Sequence, residues 1–314
     1  MNTRLIKKII FIIVLQLLAF AGYGQALYSK DFGRPGNKTL IFLHGGPGYN
    51  AATFEETTAQ NLANKGFYVI VYDRRGEGRS VDPKAKFTFQ ESFDDLDSIC
   101  NRYNVHKVNL IGHSFGGIVA TLYANRHPDM VQSVTFVGVP VSLQESFRTI
   151  GKESKDIYTA KHDSVNLHYI QLLEKMDTAS LEYSSYSFAH AMQNHFYSPQ
   201  NPTEEARKIY ELFKTDTVLI KYSMKMTSKP PQQFWKNEKY TVLNIDPNIH
   251  KLLDQGVHVY AFYGQNDGLY SAKQVADLGK IIGSKNLRYY TNCSHSVFID
   301  QQTSFITDLT ALLK

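Results

Sequence analysis

The sequence has little cysteine and little excess charge of either sign. Its 314 residues include two cysteines and one tryptophan, and 34 Lys and Arg stand against 29 Asp and Glu. Two cysteines cannot form a disulfide-dense scaffold or a cysteine-rich zinc cluster. The near balance of charge predicts no nucleic-acid partner, and no spacing of His, Cys and Asp indicates a metal site. The 43% apolar and 13% aromatic content instead predicts a folded protein with a sizeable core.

The first 24 residues have the pattern of a secretory signal peptide. A short basic segment, residues 1–8, precedes an almost wholly apolar run, residues 9–21, and small residues follow it. That run is short for a membrane span, so we expect cleavage near Ala21 or Gly24 rather than retention as an anchor. The mature protein is then expected to be exported to the periplasm or the cell exterior, with no stable membrane span.

Short apolar runs alternate with segments of helical periodicity at both ends of the chain. The runs lie at 38–44, 67–72, 107–111, 133–139, 257–263 and 286–291. Continuous apolar strands that alternate with helices predict a mostly parallel sheet with both faces covered. The polar, tyrosine-rich block between the fourth and fifth runs is helical by pattern. We expect it to be a cap over the carboxyl ends of the strands, where such sheets bind ligands.

The predicted organisation therefore has four parts. They are a signal peptide at 1–24, the first part of an α/β core at 25–140, a helical cap at 141–254 and the second part of the core at 255–314. In this arrangement Cys100 falls late in a predicted helix and Cys293 near a loop at the far end of the sheet. We therefore expect two buried free thiols, although an oxidising compartment would permit a disulfide.

Ser114 is the candidate nucleophile. It is the central residue of Gly112-His113-Ser114-Phe115-Gly116, a G-x-S-x-G motif between a predicted strand and a predicted helix. A strand that turns sharply into a helix holds the middle residue in a strained conformation, and small neighbours let the chain make the turn. The hydroxyl then stands above the sheet near a helix amino terminus, where developing negative charge is favoured.

A serine nucleophile needs a base and an acid that orients the base. His295 is the last histidine of the chain and follows the last predicted strand. Asp267 follows the preceding strand directly, and the order Ser, Asp, His is the hydrolase order. Asp300 is a weaker rival acid because it lies within the final predicted helix, and His258 lies inside a predicted strand.

Backbone amides near Ser114 are expected to bind an oxyanion. The amide of Phe115, the residue after the nucleophile, is one donor. The amide of Gly46, in the glycine-rich loop after the first apolar run, is the second, with Gly45 as the next candidate. We interpret His44 and His113 as packing and hydrogen-bonding residues rather than bases.

The stretches that carry this chemistry resemble those of α/β-hydrolases, and specifically those of the proline iminopeptidase family of serine peptidases. His44–Gly48 (HGGPG) is similar to the oxyanion loop of that family, and Asp73–Ser80 (DRRGEGRS) resembles its D-x-R-G-x-G-R-S loop. Gly112–Gly117 is similar to the general hydrolase elbow, and residues 264–268 and 293–296 fit the acid and base positions. Many family members have Trp after the serine, so Phe115 is a departure.

The resemblance implies an α/β-hydrolase sheet of seven or eight strands flanked by helices, an inserted helical cap and no cofactor. Family members usually have two strands before the first buried strand. This chain has room for one, around Ala26–Phe32, which favours seven. The resemblance also implies a structural role for Arg74, Arg75 and Arg79, which are expected to hold neighbouring loops.

An aminopeptidase must hold the free ammonium of its substrate, which requires a carboxylate. The family has one in a cap segment similar to R-I-E-N-H-Y-F, whereas Ala191–Tyr197 reads A-M-Q-N-H-F-Y. Gln193 would then be the substrate-binding residue where a carboxylate is expected. Other cap acids that could replace it are Glu145, Glu153, Glu174, Glu182, Glu204, Glu205, Glu211 and Glu238.

The sequence thus predicts an exported serine hydrolase that acts on a small molecule or a short peptide through an acyl-enzyme. An aminopeptidase similar to proline iminopeptidase is the first expectation, and a carboxylesterase on small apolar acyl esters is the second. A non-catalytic ligand-binding protein with a hydrolase fold is an alternative of a different class.

Overall fold

A computed structural model describes residues 27–314. The predicted signal peptide, 1–24, lies outside the described residues, so its cleavage and the export of the protein stay predictions. Within 27–314, none of the helices combines the length and the hydropathy that crossing a bilayer requires.

The sheet confirms the predicted fold class. Its strands are β1 (Ser29–Phe32), β2 (Lys38–Leu43), β3 (Phe67–Tyr72), β4 (Val108–His113), β5 (Val131–Val137), β6 (His258–Gly264) and β7 (Leu287–Tyr290). Over the part of the chain that the structure describes, these seven strands form one sheet in the order β1-β3-β2-β4-β5-β6-β7. Only β1 runs antiparallel, paired with β3, and the other neighbours are parallel.

Helices follow the strands and cover both faces of the sheet. The core helices are α1 (52–63, with a π-helical turn at Glu55–Ala59), α2 (Phe89–Arg102), α3 (Phe115–Ala124), α11 (Ala272–Ile282), α12 (Val297–Asp300) and α13 (Gln302–Leu313). Between β5 and β6 lie α4 (Leu143–Ala160), α5 (Ser164–Leu173), α6 (Leu181–Gln193), α7 (Glu204–Thr215), α8 (Thr217–Tyr222), α9 (Lys229–Glu238) and α10 (Asp246–Asp254).

Alternation along the strands divides the core into two layers, because successive side chains of a strand point to opposite faces. Ile41 and Leu43 of β2 join a cluster that includes residues of α2, α3, α10 and α11. Leu40 and Phe42 of the same strand join a second cluster with residues of α1 and α13. Both faces of β2 are therefore buried, which is why the strand is a continuous apolar run in the sequence.

At least one of the helices between β5 and β6, α10, is hydrogen-bonded to the core. The backbone carbonyl of Asn248 in α10 accepts a hydrogen bond from Asn125, the residue that follows α3 in the core. The end of the predicted cap range therefore contacts the core directly. Cys100 and Cys293 are buried and free, as predicted.

Candidate active site

Ser114 lies at the sharp turn between β4 and α3. Its backbone has φ of 51° and ψ of −124°, a conformation that a residue with a side chain rarely adopts. The glycines around it allow close packing: a Cβ at Gly116 would lie 2.1 Å from the carbonyl oxygen of Leu43, and one at Gly117 would lie 2.1 Å from Val139. Ser114 is partly exposed, whereas its neighbours in the chain are buried.

His295 and Asp267, which the sequence predicts to be the base and its orienting acid, contact each other through a hydrogen bond. His295 Nδ1 lies 2.8 Å from Asp267 Oδ2, and both residues are buried, at 5% and 3% exposure. An ionised carboxylate only accepts, so this contact assigns the proton to Nδ1 and leaves Nε2 as an acceptor. Gly138 packs directly against the His295 ring, because a Cβ on Gly138 would lie 3.0 Å from His295 Nδ1.

The loops that carry Ser114 and His295 meet through His113. The His113 ring centroid lies 4.8 Å from that of His295, and its Nε2 lies 3.3 Å from the His295 carbonyl oxygen. Burial, and then the proximity of the second imidazole, lower the pKa of His113 well below its usual range. Among residues 27–314, no hydrogen bond joins the Ser114 hydroxyl to His295. The structure thus brings the base and its acid together and brings the nucleophile's loop against the base.

Asp300 supports the base loop without contacting the imidazole by a hydrogen bond. Its Oδ2 accepts the backbone N–H of Ser294 at 2.7 Å, and its Oδ1 accepts the hydroxyl of Tyr210 in α7 at 2.6 Å. Asp300 is fully buried, and this burial raises the pKa of its carboxyl to about 6. The rival acid is therefore bonded to the residue before the base, whereas Asp267 is bonded to the base itself.

The segment Ala191–Tyr197, which the sequence analysis singled out for Gln193, lies against the loops of His295 and Asp267 through Phe196 and Tyr197. The carbonyl oxygen of Phe196 accepts from the hydroxyl of Ser294 at 2.7 Å and from the N–H of Gly268 at 3.3 Å. The ring of Tyr197 meets the His295 ring edge-on, with centroids 5.2 Å apart. Both residues belong to the same segment as Gln193, but no sequence signal assigns these contacts to Phe196 and Tyr197.

The glycine-rich loop after β2 is held by buried polar groups. Nδ1 of His44 donates to the carbonyl oxygen of Gly45 at 2.8 Å, and Nε2 accepts from the N–H of Arg74 at 3.0 Å. These partners fix the neutral tautomer of His44, and burial together with the nearby Arg74 lowers its pKa. His44 is thus a hydrogen-bonding residue of the loop, as predicted.

The predicted oxyanion donors are unpaired. Within residues 27–314, the backbone N–H groups of Gly45, Gly46 and Phe115 donate no hydrogen bond to another residue. Gly45 approaches the nucleophile closely, because a Cβ on it would lie 3.3 Å from the Cβ of Ser114. Three free amide donors therefore lie on the two loops that border the serine.

Phe115 connects the nucleophile turn to the cap. Its ring lies 5.2 Å from Phe234 of α9, 5.5 Å from Tyr240 and 5.9 Å from Phe89 of α2, centroid to centroid. Aromatic contacts at these separations are favourable beyond the area they bury. The residue that replaces the family's Trp thus anchors cap residues beside the donor amide.

Gln193 has no hydrogen bond to the catalytic candidates. Its side chain is exposed, and its Oε1 accepts from the hydroxyl of Tyr158 in α4 at 3.3 Å. The same Tyr158 hydroxyl lies 2.9 Å from His190 Nδ1. Gln193 therefore belongs to a polar network between α4 and α6, and its predicted role in substrate binding stays a prediction.

None of the eight glutamates proposed for the cap is buried. Five have ion pairs or hydrogen bonds through their carboxylates to Lys152, Lys155, Lys208, Thr303 and Lys214, and Glu238 accepts from the N–H of Phe89. In the described part of the chain, Glu145 and Glu182 have no such partner. The predicted cap acids thus offer no buried carboxylate for an ammonium group.

Comparison with known proteins identifies the family of this chain and several proteins that are similar to it. The sequence model of the family described as "alpha/beta hydrolase fold" matches residues 38–302. The chain is 29% identical to the proline iminopeptidase of Saccharolobus solfataricus over 49% of this chain and 56% of that protein. It is 35% identical to the proline iminopeptidase of Thermoplasma volcanium over 35% of this chain and 39% of that protein. The match spans about half the length, or less, of these curated relatives.

Solved structures resemble the chain over nearly its whole length. A proline iminopeptidase-related protein from Thermus thermophilus has a TM-score of 0.65 at 21% identity, with 91% of this chain and 92% of that one covered. An esterase from Exiguobacterium antarcticum has a TM-score of 0.59 at 15% identity, with 91% and 95% covered. At these identities the likeness concerns the fold.

Proposed function

Because the chain belongs to the alpha/beta hydrolase fold family, we propose that it is a serine hydrolase that cleaves an ester or amide bond through an acyl-enzyme. The proposal is carried by the buried His295–Asp267 pair, whose Nδ1–Oδ2 distance is 2.8 Å, next to the loop that presents Ser114 at a left-handed turn. Catalytic hydrogen bonds of a nucleophile are often formed only when substrate is bound.

In the first half of the proposed reaction, Ser114 Oγ attacks the carbonyl carbon and its proton passes to Nε2 of His295. Asp267 holds the tautomer and stabilises the imidazolium that results. The amides of Gly46 and Phe115 bind the oxyanion of the tetrahedral intermediate. Collapse of this intermediate expels the alcohol or amine, which takes the proton from His295. A water molecule then repeats the sequence on the acyl-enzyme and releases the acid.

We infer that an ester of an apolar acyl group is the preferred substrate. The inference reverses the order expected from the sequence, because a buried carboxylate is what an ammonium group requires and the cap glutamates are exposed or partly exposed. The aromatic rings around Phe115 favour an apolar acyl chain. Gln193, the neutral amide at the position where the family has its ammonium-binding carboxylate, is exposed and bonded to Tyr158.

An aminopeptidase is the second candidate. It is favoured by the HGGPG loop and by the printed names of the curated relatives, which are proline iminopeptidases. In that case Glu145 or Glu182, the two cap glutamates without a partner among the described residues, would have to hold the substrate ammonium.

Turnover of two chromogenic substrates tests the proposal. We expect the wild-type protein to hydrolyse a p-nitrophenyl ester of a short acyl chain, and Ser114→Ala to lose several orders of magnitude in kcat. Hydrolysis of proline p-nitroanilide at a comparable kcat/KM would instead support the aminopeptidase. Loss of neither activity in Ser114→Ala would contradict the serine mechanism, and no turnover by a folded wild type would favour a non-catalytic binding protein.

A further inference from the structure

Two opposite charges lie buried in the loop that follows β3. Arg74 and Glu77 have side chains that are only 2% and 0% exposed, and Arg74 Nη2 lies 2.9 Å from Glu77 Oε2. A second contact joins Arg74 Nε to Glu77 Oε1 at 3.2 Å. Removing two charges from water costs free energy that their attraction offsets only when the remaining donors and acceptors also find partners. The identity of those partners therefore shows what the pair holds in place.

The remaining side-chain hydrogen bonds of the pair all reach the glycine-rich loop after β2. Arg74 donates through Nη1 to the carbonyl oxygen of His44 and through Nη2 to that of Gly45, the latter at 2.6 Å. Glu77 Oε2 accepts from the N–H of Gly48 at 2.9 Å. A planar guanidinium is suited to such a contact, because its donors have a fixed spacing that two successive carbonyls can match.

These carbonyls share their peptide groups with the candidate oxyanion donors. The carbonyl of Gly45 and the N–H of Gly46 belong to one peptide group. The carbonyl of His44 and the N–H of Gly45 belong to the peptide group before it. Gly46–Pro47 is the cis bond found among the described residues, so both of these peptides are trans. In a trans peptide the C=O and N–H point in opposite directions. A guanidinium that holds the two carbonyls therefore fixes the direction of the two amides.

We propose that Arg74 is the positioning residue of the oxyanion hole, and that Glu77 fixes the guanidinium in the orientation this requires. The assignment rests on the serine hydrolase function proposed above. A charged donor on a carbonyl also polarises the peptide, which strengthens its N–H as a donor. Arg74 reaches the second side of the hole as well, because its Cζ lies 5.4 Å from the centroid of the Phe115 ring.

The neighbouring Arg75 provides a matched control. It belongs to the same loop and is also partly buried, but its guanidinium contacts Asp82 at 2.9 Å and Asp95 at 2.5 Å. None of its side-chain hydrogen bonds or ion pairs within residues 27–314 is with the glycine-rich loop. If a substitution acts by disturbing this arginine-rich loop in general, substitutions of Arg74 and of Arg75 should both lower activity. If it acts on the oxyanion donors, only substitution of Arg74 should do so.

The test compares Arg74→Lys with Arg75→Lys in the full-length protein, with the p-nitrophenyl ester as substrate. A lysine retains the charge beside Glu77 but lacks the planar array of donors that contacts both carbonyls and both Glu77 oxygens with a fixed spacing. We expect kcat to fall about tenfold to a hundredfold at nearly unchanged KM, somewhat less than the roughly 10²–10³-fold loss that removal of a whole donor causes. Arg75→Lys should retain kcat within about twofold.

Inhibition by a trifluoromethyl ketone separates positioning from a general structural role. Such a ketone adds to the serine as a tetrahedral oxyanion, so it reports on the donors directly. In Arg74→Lys its Ki should rise by the same factor as kcat falls, while the Ki of the acid product changes little. An increase in KM with unchanged kcat, or an equal loss of kcat in Arg74→Lys and Arg75→Lys, would overturn the assignment.

Glu77→Gln keeps the assignment testable if Arg74→Lys does not fold. The amide is nearly isosteric, so the carbonyl contacts of Arg74 are retained but the guanidinium is held less firmly. We expect a smaller parallel change in kcat and in the ketone Ki, with a cooperative unfolding transition retained. A folded Glu77→Gln with wild-type values for both would overturn the proposal.

Failure of this assignment can be distinguished from failure of the proposed function. A wild-type protein that turns over the ester, with Ser114→Ala inactive and both Arg74→Lys and Glu77→Gln unimpaired, contradicts only the role of Arg74. A folded wild type that turns over neither the ester nor proline p-nitroanilide contradicts the serine hydrolase, and the oxyanion assignment fails with it.

Discussion

The rings of His113 and Tyr197 pack against His295, with centroids 4.8 and 5.2 Å away, and the absence of a side chain at Gly138 is one condition for this packing. Gly138 has φ of +54°, and a Cβ there would lie 3.0 Å both from Nδ1 and from the carbonyl oxygen of His295. A methyl group at this point would therefore displace the base, its loop or both.

We expect Gly138→Ala to lower kcat at least about tenfold while it destabilises the protein by about 1 kcal/mol or more. Gly256→Ala is the control, because Gly256 also has positive φ, +77°, but nothing lies within 4 Å of its Cβ position. It should lose a similar amount of stability with full activity. Ester turnover and urea unfolding measure the two effects, and equal activity in both variants would contradict the packing argument.

The hydrogen bond between His295 and Asp267 predicts which carboxylate orients the base. Asp267→Asn should lower kcat by up to about 10⁴-fold, because an amide favours the wrong imidazole tautomer. Asp300→Asn retains the Asp267 contact and should lower kcat far less. If kcat instead fell mainly in Asp300→Asn, the rival acid would be the catalytic one.

Local sequence was sufficient to identify the catalytic candidates but not the residues that surround them. Ser114 lies in a motif whose strand-to-helix context is readable, and Asp267 and His295 follow predicted strands. Phe196 and Tyr197 contact the base loop through a cap segment distant in sequence, and such contacts depend on how the cap folds back. The pairing of Glu77 with Arg74 likewise gave no sequence signal beyond its place in the loop.

Hydrogen bonds through Asp300 join α7 and Thr203 to the loop that carries His295, and we call these contacts the Asp300 clasp. Tyr210 of α7 donates to Asp300 Oδ1, and Thr203 donates to the carbonyl oxygen of Asp300 at 3.2 Å. Asp300 in turn accepts from Ser294, the residue before the base. A movement of α7 would therefore be transmitted to the loop that carries His295.

The protonation of Asp300 gives this clasp a pH-dependent stability. Burial raises the pKa of the carboxyl to about 6, above the value of about 3.9 in an unfolded chain. Between these values the folded state binds more protons than the unfolded state, so the free energy of unfolding rises as pH falls from about 6 to 4. This contribution is lost as pH rises through 6.

We expect Asp300→Asn to lack this rise in the free energy of unfolding at low pH. The difference in unfolding free energy between the wild type and the variant should be larger at pH 5 than at pH 7.5, as measured by urea unfolding at the two values. Asp95 also has a pKa raised to about 6, but it is present in both proteins and cancels in the difference. An equal difference at both values would contradict the titration of Asp300 in this range.

The strands were more predictable than the helices. A strand with both faces covered, such as β3, is a continuous apolar run and can be recognised from composition alone. The π-helical turn at Glu55–Ala59 has no such signature, because it differs from an α-helix only in hydrogen bonding. In the cap, apolar residues pack against both the core and other cap helices, so a single helical period does not define the bounds of α5 or α8.

For the whole molecule, the compartment depends on the first 24 residues. We expect expression of the complete chain in a bacterial host to yield a periplasmic or secreted protein whose amino terminus, determined by mass spectrometry, follows Ala21 or Gly24. An intact leader in the membrane fraction would support the anchor instead. A cytoplasmic protein with the full mass would contradict export, and it would leave the hydrolase proposal unchanged.

The architecture also explains how residues separated by about 180 positions can form one site. Parallel strands end at the same edge of a sheet, so the loops after β4, β6 and β7 meet there. The central claim is that Ser114, His295 and Asp267 act at this edge as one nucleophilic unit.

Covalent labelling with a fluorophosphonate tests this claim most directly. The full-length wild type should gain one phosphonyl group per chain, mapped to Ser114 by peptide mass spectrometry, and His295→Ala should react at least about a hundredfold more slowly because its serine has no base. Modification of another residue, or equal rates in a folded His295→Ala variant, would contradict the account.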